Sequence, residues 1–184
     1  APLHERLSQA LRELWKGKPA ADRPLVAQAK AGDFAALETL LRDAVDTGVP
    51  VIGHCLGGQL LAKALGAAVY RNPCKEMGWL PVDVVDPARV EDWLGSTATG
   101  ELFHWHGDAF ELPQGARRLL SSPLTPNQAY VFERGSAGHL GMQFHIEMTP
   151  ELVTAWARDP GVADEVDAER ALTGGAGVQS PEEM

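Results

Sequence analysis

The sequence predicts an α/β fold in three layers, with a mainly parallel sheet and helices on both of its faces. Three observations point there. The apolar run Val49-Pro50-Val51-Ile52 leads through a glycine-rich turn into a helical stripe that stops at Gly66, so strand, tight turn and helix follow one another within 18 residues. Short apolar stretches with turn residues between them come next. Helix-period patterns lie before and after these strands, the arrangement that covers both faces of a sheet.

In chain order, Leu3, Leu7, Ala10, Leu11 and Leu14 recur at helical spacing, with Gly17 as the stop. Residues 18–32 are rich in Pro, Ala and charge and give no clear pattern. Phe34, Leu37, Leu40, Leu41, Ala44 and Val45 form the stripe of a second helix, ended by Gly48. Val49–Ile52 has the continuous apolar character of a buried parallel strand. Leu56, Leu60, Leu61, Ala64 and Leu65 mark the helix after it. Further strands are expected at Ala67–Tyr70, Leu80–Val85, Glu101–Trp105, Arg118–Ser121, Ala129–Phe132 and Leu140–Phe144. Thr149-Pro150-Glu151 supplies cap, first-turn proline and first-turn acid for a helix to about Arg158, and Asp159-Pro160-Gly161 breaks it. Ser180-Pro181-Glu182-Glu183 carries a helix-start pattern just ahead of Met184. The first 48 residues offer helices but no opening strand, so the N-terminal part of the sheet is expected to be atypical or incomplete, exposing an edge that invites pairing with another chain. The 184 residues fit a single domain, 1–184.

Composition excludes several classes of partner. A formal charge of −9 argues against nucleic acid and anionic membrane. Arg117-Arg118, an adjacent basic pair, reads as a solvated surface feature. No apolar run approaches the ~18 residues that span a bilayer. Two cysteines, Cys55 and Cys74, are too few for a disulfide framework and suggest a reduced, cytoplasmic protein.

Chemistry concentrates at Gly53-His54-Cys55-Leu56-Gly57-Gly58-Gln59. A nucleophile on a sharp strand-to-helix turn needs small neighbours so that the backbone can fold tightly, and Gly53, Gly57 and Gly58 flank Cys55. A helix starting at Leu56 aims its N–H groups at the sulfur, which is expected to lower the thiol pKa toward neutrality; the Leu56 N–H is also placed to bond an oxyanion. Cys74, between Pro73 and Lys75, has no such setting and reads as an inert thiol. Downstream, Gly141-Met142-Gln143-Phe144-His145-Ile146-Glu147 ends an expected strand. Residues two apart on extended backbone face the same way, so Glu147 can orient the His145 ring and leave its other nitrogen for Cys55, the logic of nucleophile, base and orienter. Both Cys55 and His145 fall at carboxyl ends of expected strands, where open α/β sheets place their sites.

GHCLGGQ followed 90 residues after its cysteine by FHIE resembles the class I glutamine amidotransferases, which typically show Gly-x-Cys-x-Gly-x-Gln and later Gln-Phe-His-Pro-Glu. The resemblance runs from about Val49 to about Trp156 and takes in Asn72–Trp79 and Phe103–Asp108, blocks most similar to stand-alone members related to the glutaminase domain of GMP synthase. It implies a flavodoxin-like sheet and a cysteinyl thioester mechanism. Cys55 would attack the side-chain amide of glutamine, and His145 would protonate the ammonia and then activate water. Gln59 and Gly57, with backbone around Gly107 and Asp108, would hold the substrate. No cofactor is implied. Ile146 stands where the family commonly has proline, with little chemical effect expected. The family also has a Gly-Gly-Pro loop upstream that supplies a second oxyanion donor. Here Gly17, Gly32 and Gly48 are isolated, so either residues 1–48 replace the loop or that half of the domain is lacking.

His104, His106 and Asp108 alternate along one expected strand and could be read as metal ligands, but no further ligand set with clear spacing accompanies them, and a pocket wall beside the thiol is the favoured reading. Three functions follow: a glutaminase feeding ammonia to a separate synthase subunit, a hydrolase of γ-glutamyl peptides or conjugates using the same Cys-His-Glu triad, or a weakly active amidotransferase-like binding module.

Overall fold

The computed structural model describes residues 23–95, 100–180 and 183–184, so the helix expected over Leu3–Leu14 lies outside the described residues. Six helices, α1 (Arg23–Lys30), α2 (Phe34–Asp46), α3 (Leu56–Ala64), α4 (Pro87–Leu94), α5 (Pro150–Ala157) and α6 (Pro160–Thr173), accompany six strands among those residues. The strands are β1 (Ile52–His54), β2 (Val69–Val84), β3 (Gly100–Phe110), β4 (Arg117–Ser121), β5 (Ala129–Arg134) and β6 (Ala137–Met142), in the sheet order β1-β6-β5-β4-β2-β3.

The α/β class is as expected, and alternation along β5 shows why helices cover both faces. Ala129 and Val131 point into one core, with Leu120, Leu140, Met142, Phe144 and Val90 of α4. Tyr130 points into the other, with Val45 of α2, Leu61 and Ala62 of α3, and Phe110. The balance of the sheet differs from expectation. Among the described residues β1 and β6 are parallel, and the other four pairings are antiparallel. A parallel pair needs a long crossover, and β1 reaches β6 only after the whole antiparallel meander between them has been traversed.

Local differences have local causes. The first strand starts at Ile52 rather than Val49, though the Val51 carbonyl already accepts from the Leu140 N–H at 2.9 Å. The strands expected at Ala67–Tyr70 and Leu80–Val85 are the ends of one strand, β2, because its register on β3 jumps between Arg71 and Glu76 and lets residues 72–75 bulge out. Asn72 closes that bulge by donating to the Cys74 carbonyl at 2.9 Å and the Thr125 hydroxyl at 2.9 Å. Asp159-Pro160-Gly161 does end α5, but it also starts α6: the Asp159 carboxylate accepts from Gly161 N and Pro160 sits in the first turn. After α6 the chain returns to β2, where Met77 N donates to the Gly177 carbonyl at 2.8 Å and Gln179 N donates to the Met77 carbonyl at 2.9 Å.

Candidate active site

Gly53 and Gly58 make the turn around Cys55 sterically. A Cβ on Gly53 would lie 2.4 Å from the Gly57 carbonyl carbon, and one on Gly58 would lie 2.5 Å from the Met142 oxygen. Gly57 is different, with nothing within 4 Å of its missing Cβ. Cys55 has φ 48 and ψ −111, and among the described residues it is the only non-glycine at positive φ. Such a conformation costs on the order of 1–3 kcal/mol and persists where surrounding contacts enforce it. Here the Cys55 N–H is held by the Met142 carbonyl at 2.8 Å, while its own carbonyl starts α3 by accepting from Gln59 N at 3.0 Å.

The half-buried sulfur is 3.8 Å from the Trp105 carbonyl. Two residues earlier on β3, the Phe103 carbonyl accepts from His145 N at 2.9 Å, so successive same-direction carbonyls of β3 meet the cysteine sulfur and the histidine backbone. His145 Nδ1 lies 2.6 Å from Glu147 Oε1. The route to this contact is not the extended one expected, because β6 ends at Met142 and residues 146–147 form a turn. The other carboxylate oxygen of Glu147 is 3.3 Å from His54 Nδ1, a contact that sequence reasoning missed although His54 is the residue just before the cysteine.

Electrostatics at the sulfur run opposite to expectation. Burial pushes the Cys55 thiol up, the Leu56 N–H pulls it down, and the Glu147 and Asp108 carboxylates push it up again, leaving it above its ordinary range. Glu147 moves the other way: burial opposes its charge, but the hydrogen bond with His145, a backbone N–H and the neighbouring His145 and His54 rings hold it below the usual carboxylate range.

The remaining expected residues separate into a rim and a floor. Leu56 is 48% exposed beside the sulfur, Gly57 is half-buried, and Asp108 is exposed next to half-buried Gly107. Arg71 pairs with the Asp108 carboxylate at 3.3 Å and crowds Gly107, whose absent Cβ would fall 2.8 Å from the guanidinium. On the floor, buried Gln59 donates to the Asp108 carbonyl at 3.0 Å and to Gln143 Oε1 at 3.3 Å, and Gln143 donates to the same carbonyl at 3.3 Å. Gln143 stood in the motif without a role assigned to it.

Beneath lies a cluster that spacing on one strand could not disclose. The bulge in β2 sets Glu76 opposite His106 in the ladder, and Glu76, His104 and His106 offer ligand atoms within 4.8 Å of one another. These residues have the chemistry to hold a metal ion, although Glu76 is already engaged, accepting from the Ser122 hydroxyl at 2.6 Å and the Gln128 amide at 2.7 Å. Burial alone would raise Glu76, yet contacts from His106, Ser122 and Thr125 hold it down at about 2. His104 is packed edge-on to Phe144, neither ring nitrogen has a hydrogen-bond partner, and burial takes it down to about 4. Cys74 is a free thiol in the β2 bulge.

Known proteins resemble the chain in sequence and in fold. The chain is 34% identical over 140 residues to the glutamine amidotransferase-like protein YfeJ of Salmonella typhimurium, covering 74% of this chain and 56% of that one. It is 36% identical over 111 residues to a glutamine-hydrolysing GMP synthase of Pseudomonas syringae, covering 56% of this chain and 21% of the synthase. The crystal structure of a glutamine amidotransferase from Methylobacillus flagellatus superposes with a TM-score of 0.64 at 37% identity, covering 81% of this chain and 58% of that one. A second, from Thermotoga maritima, gives a TM-score of 0.63 at 31% identity over 78% of this chain and 59% of its own. The chain thus spans roughly half the length of YfeJ and of these structural neighbours. Among the described residues no helix is long and apolar enough to cross a membrane. The family model for class I glutamine amidotransferases matches residues 29–156, and the chain belongs to that family.

Proposed function

We propose that the chain releases ammonia from glutamine through a thioester on Cys55, with His145 as general acid and base and Glu147 as its orienter. The observation that carries this reading is the convergence on β3: the sulfur sits at the Trp105 carbonyl, the His145 backbone at the Phe103 carbonyl, and Glu147 is 2.6 Å from the His145 ring. The sulfur attacks the side-chain amide carbon of glutamine, and the imidazolium gives its proton to the departing nitrogen. Water, deprotonated by the same ring, then cleaves the thioester to glutamate.

Because burial raises the Cys55 thiol, its proton is best removed by a base beside it at the moment of attack, which places the burden on His145 rather than on a standing thiolate. Leu56 N–H is the oxyanion donor on this side, and Gln59, Gly57, Gly107 and Asp108 form the glutamine pocket. Residues 1–184 act as a single amidotransferase-like domain in the cytoplasm, without a bound metal or cofactor, and a separate synthase subunit takes up the ammonia, as the similarity to part of GMP synthase suggests.

The second reading, hydrolysis of γ-glutamyl peptides or conjugates, uses the same three residues, with open space beside Gly57 at the turn. Ammonia release from glutamine and turnover of a γ-glutamyl panel, each beside Cys55→Ala, separate the readings. Cysteine-dependent ammonia release supports the glutaminase, turnover of conjugates alone supports the hydrolase, and no turnover of either supports a binding module.

A further inference from the structure

Gln59 spends both of its amide protons internally, one on the Asp108 carbonyl at 3.0 Å and one on Gln143 Oε1 at 3.3 Å. A carbonyl can only accept, so the amide cannot flip without setting two oxygens against each other. The side-chain oxygen of Gln59 is therefore the end free to receive an N–H donor from a ligand. What fixes Gln59 is thus the Asp108 carbonyl, and His106 reaches that carbonyl too, through Nδ1 at 3.1 Å. Since the carbonyl accepts, Nδ1 carries the proton. The opposite ring nitrogen of His106 lies 3.1 Å from Glu76 Oε2, a contact that anchors the ring when this nitrogen carries a proton as well, because a carboxylate oxygen only accepts. Glu76 is itself braced by Ser122 and Gln128.

We propose that Glu76 and His106 are positioning residues of the pocket: Glu76 anchors His106, and His106 holds the Asp108 carbonyl from which both Gln59 and Gln143 hang. This rests on the glutaminase reading for its kinetic consequence but not for its geometry. Neither residue touches the sulfur or the reacting amide. Their effect travels through one backbone oxygen to the acceptor that binds substrate, so it falls on KM more than on kcat.

The test uses His106→Leu, which removes the donor, and His106→Asn, whose amide keeps one near the Nδ1 position. Losing a buried donor of this kind is expected to raise KM for glutamine about tenfold in His106→Leu, with kcat changed less, and His106→Asn should return KM to within about threefold of the parent. Alkylation of Cys55 by iodoacetamide, which needs the thiol but not the pocket, should stay within about twofold in both. The side-chain amide NMR signals of Gln59 and Gln143 report the same network without turnover. They should shift and exchange faster in His106→Leu and recover in His106→Asn, even if glutamine is not the substrate. Should His106→Leu fail to fold, Glu76→Gln takes its place, with a smaller KM rise and a shift in the same amide signals. Unchanged amide signals and KM in a folded variant overturn the proposal, as does a parallel loss of iodoacetamide reactivity. A stoichiometric metal ion found in the parent protein and lost in these variants would overturn it as well, reassigning the cluster to metal binding.

Discussion

Two groups of polar side chains lie along β3 and obey opposite rules. Cys55, His145 and Glu147 are half-buried or exposed; the first two are held through their backbones, Glu147 by the His145 and His54 rings, and the group includes the strained residue of the turn. Glu76, His106, Gln59 and Gln143 are buried, and each has at least one close polar partner. The contrast separates reactivity from placement. A nucleophile and its base need access and freedom to exchange protons, whereas a pocket floor must be satisfied and rigid because an unpaired buried polar group is costly. The exposed group should therefore break activity while sparing the fold, whereas its buried surroundings should show up in substrate binding and in stability.

The largest effect is expected from Cys55→Ala and His145→Ala. Each should reduce ammonia release by at least about 10³-fold while leaving the unfolding midpoint nearly unchanged, as read by initial rates beside thermal denaturation. Next come the glycines of the turn. Gly53→Ala drives a methyl into the Gly57 backbone at 2.4 Å and should destabilise by about 3 kcal/mol or more, while Gly57→Ala, with open space around it, should keep the fold and change only substrate handling. Denaturant titration of the two variants side by side checks this.

His104 gives the pH signature of the buried side. Its folded-state pKa is depressed to about 4 by burial, so the unfolded chain takes up a proton first as pH falls. The stability it contributes is complete above about pH 6.5 and is lost progressively down to about pH 4, a change on the order of 3 kcal/mol. His104→Phe should flatten the stability profile in that window. Glu76, held at about 2, acts lower down: its contribution is present above about pH 4.5 and lost as pH falls toward 2. The smallest effect is expected from Ile146→Pro, which restores the residue common in the family at a position 58% exposed; activity should change by less than about threefold.

Legibility in the sequence followed the range of the interactions. The elbow, α2 with its apolar stripe, and α5 with its Thr149 cap were readable because a few neighbouring residues determine them, whereas the Asp33 cap of α2 emerges only in the structure. Tertiary pairing decided the rest. The length of β2 depends on a bulge that only its partner strand β3 reveals. The antiparallel majority of the sheet depends on which strands meet, and period alone does not specify that. At the site, His145 and Glu147 were found as motif neighbours, but Glu76 and His106, 30 positions apart, meet only through the ladder. The sign of the thiol shift is not legible locally, because the burial and the two carboxylates that oppose the helix start come from distant parts of the chain.

One measurement bears most directly on the triad: covalent trapping by an electrophilic glutamine mimic, with the adduct located by peptide mass mapping. A single adduct on Cys55 is expected, slowed by excess glutamine and strongly suppressed in His145→Ala. An adduct shared equally with Cys74, or labelling of Cys55 indifferent to both glutamine and His145, would contradict the assignment.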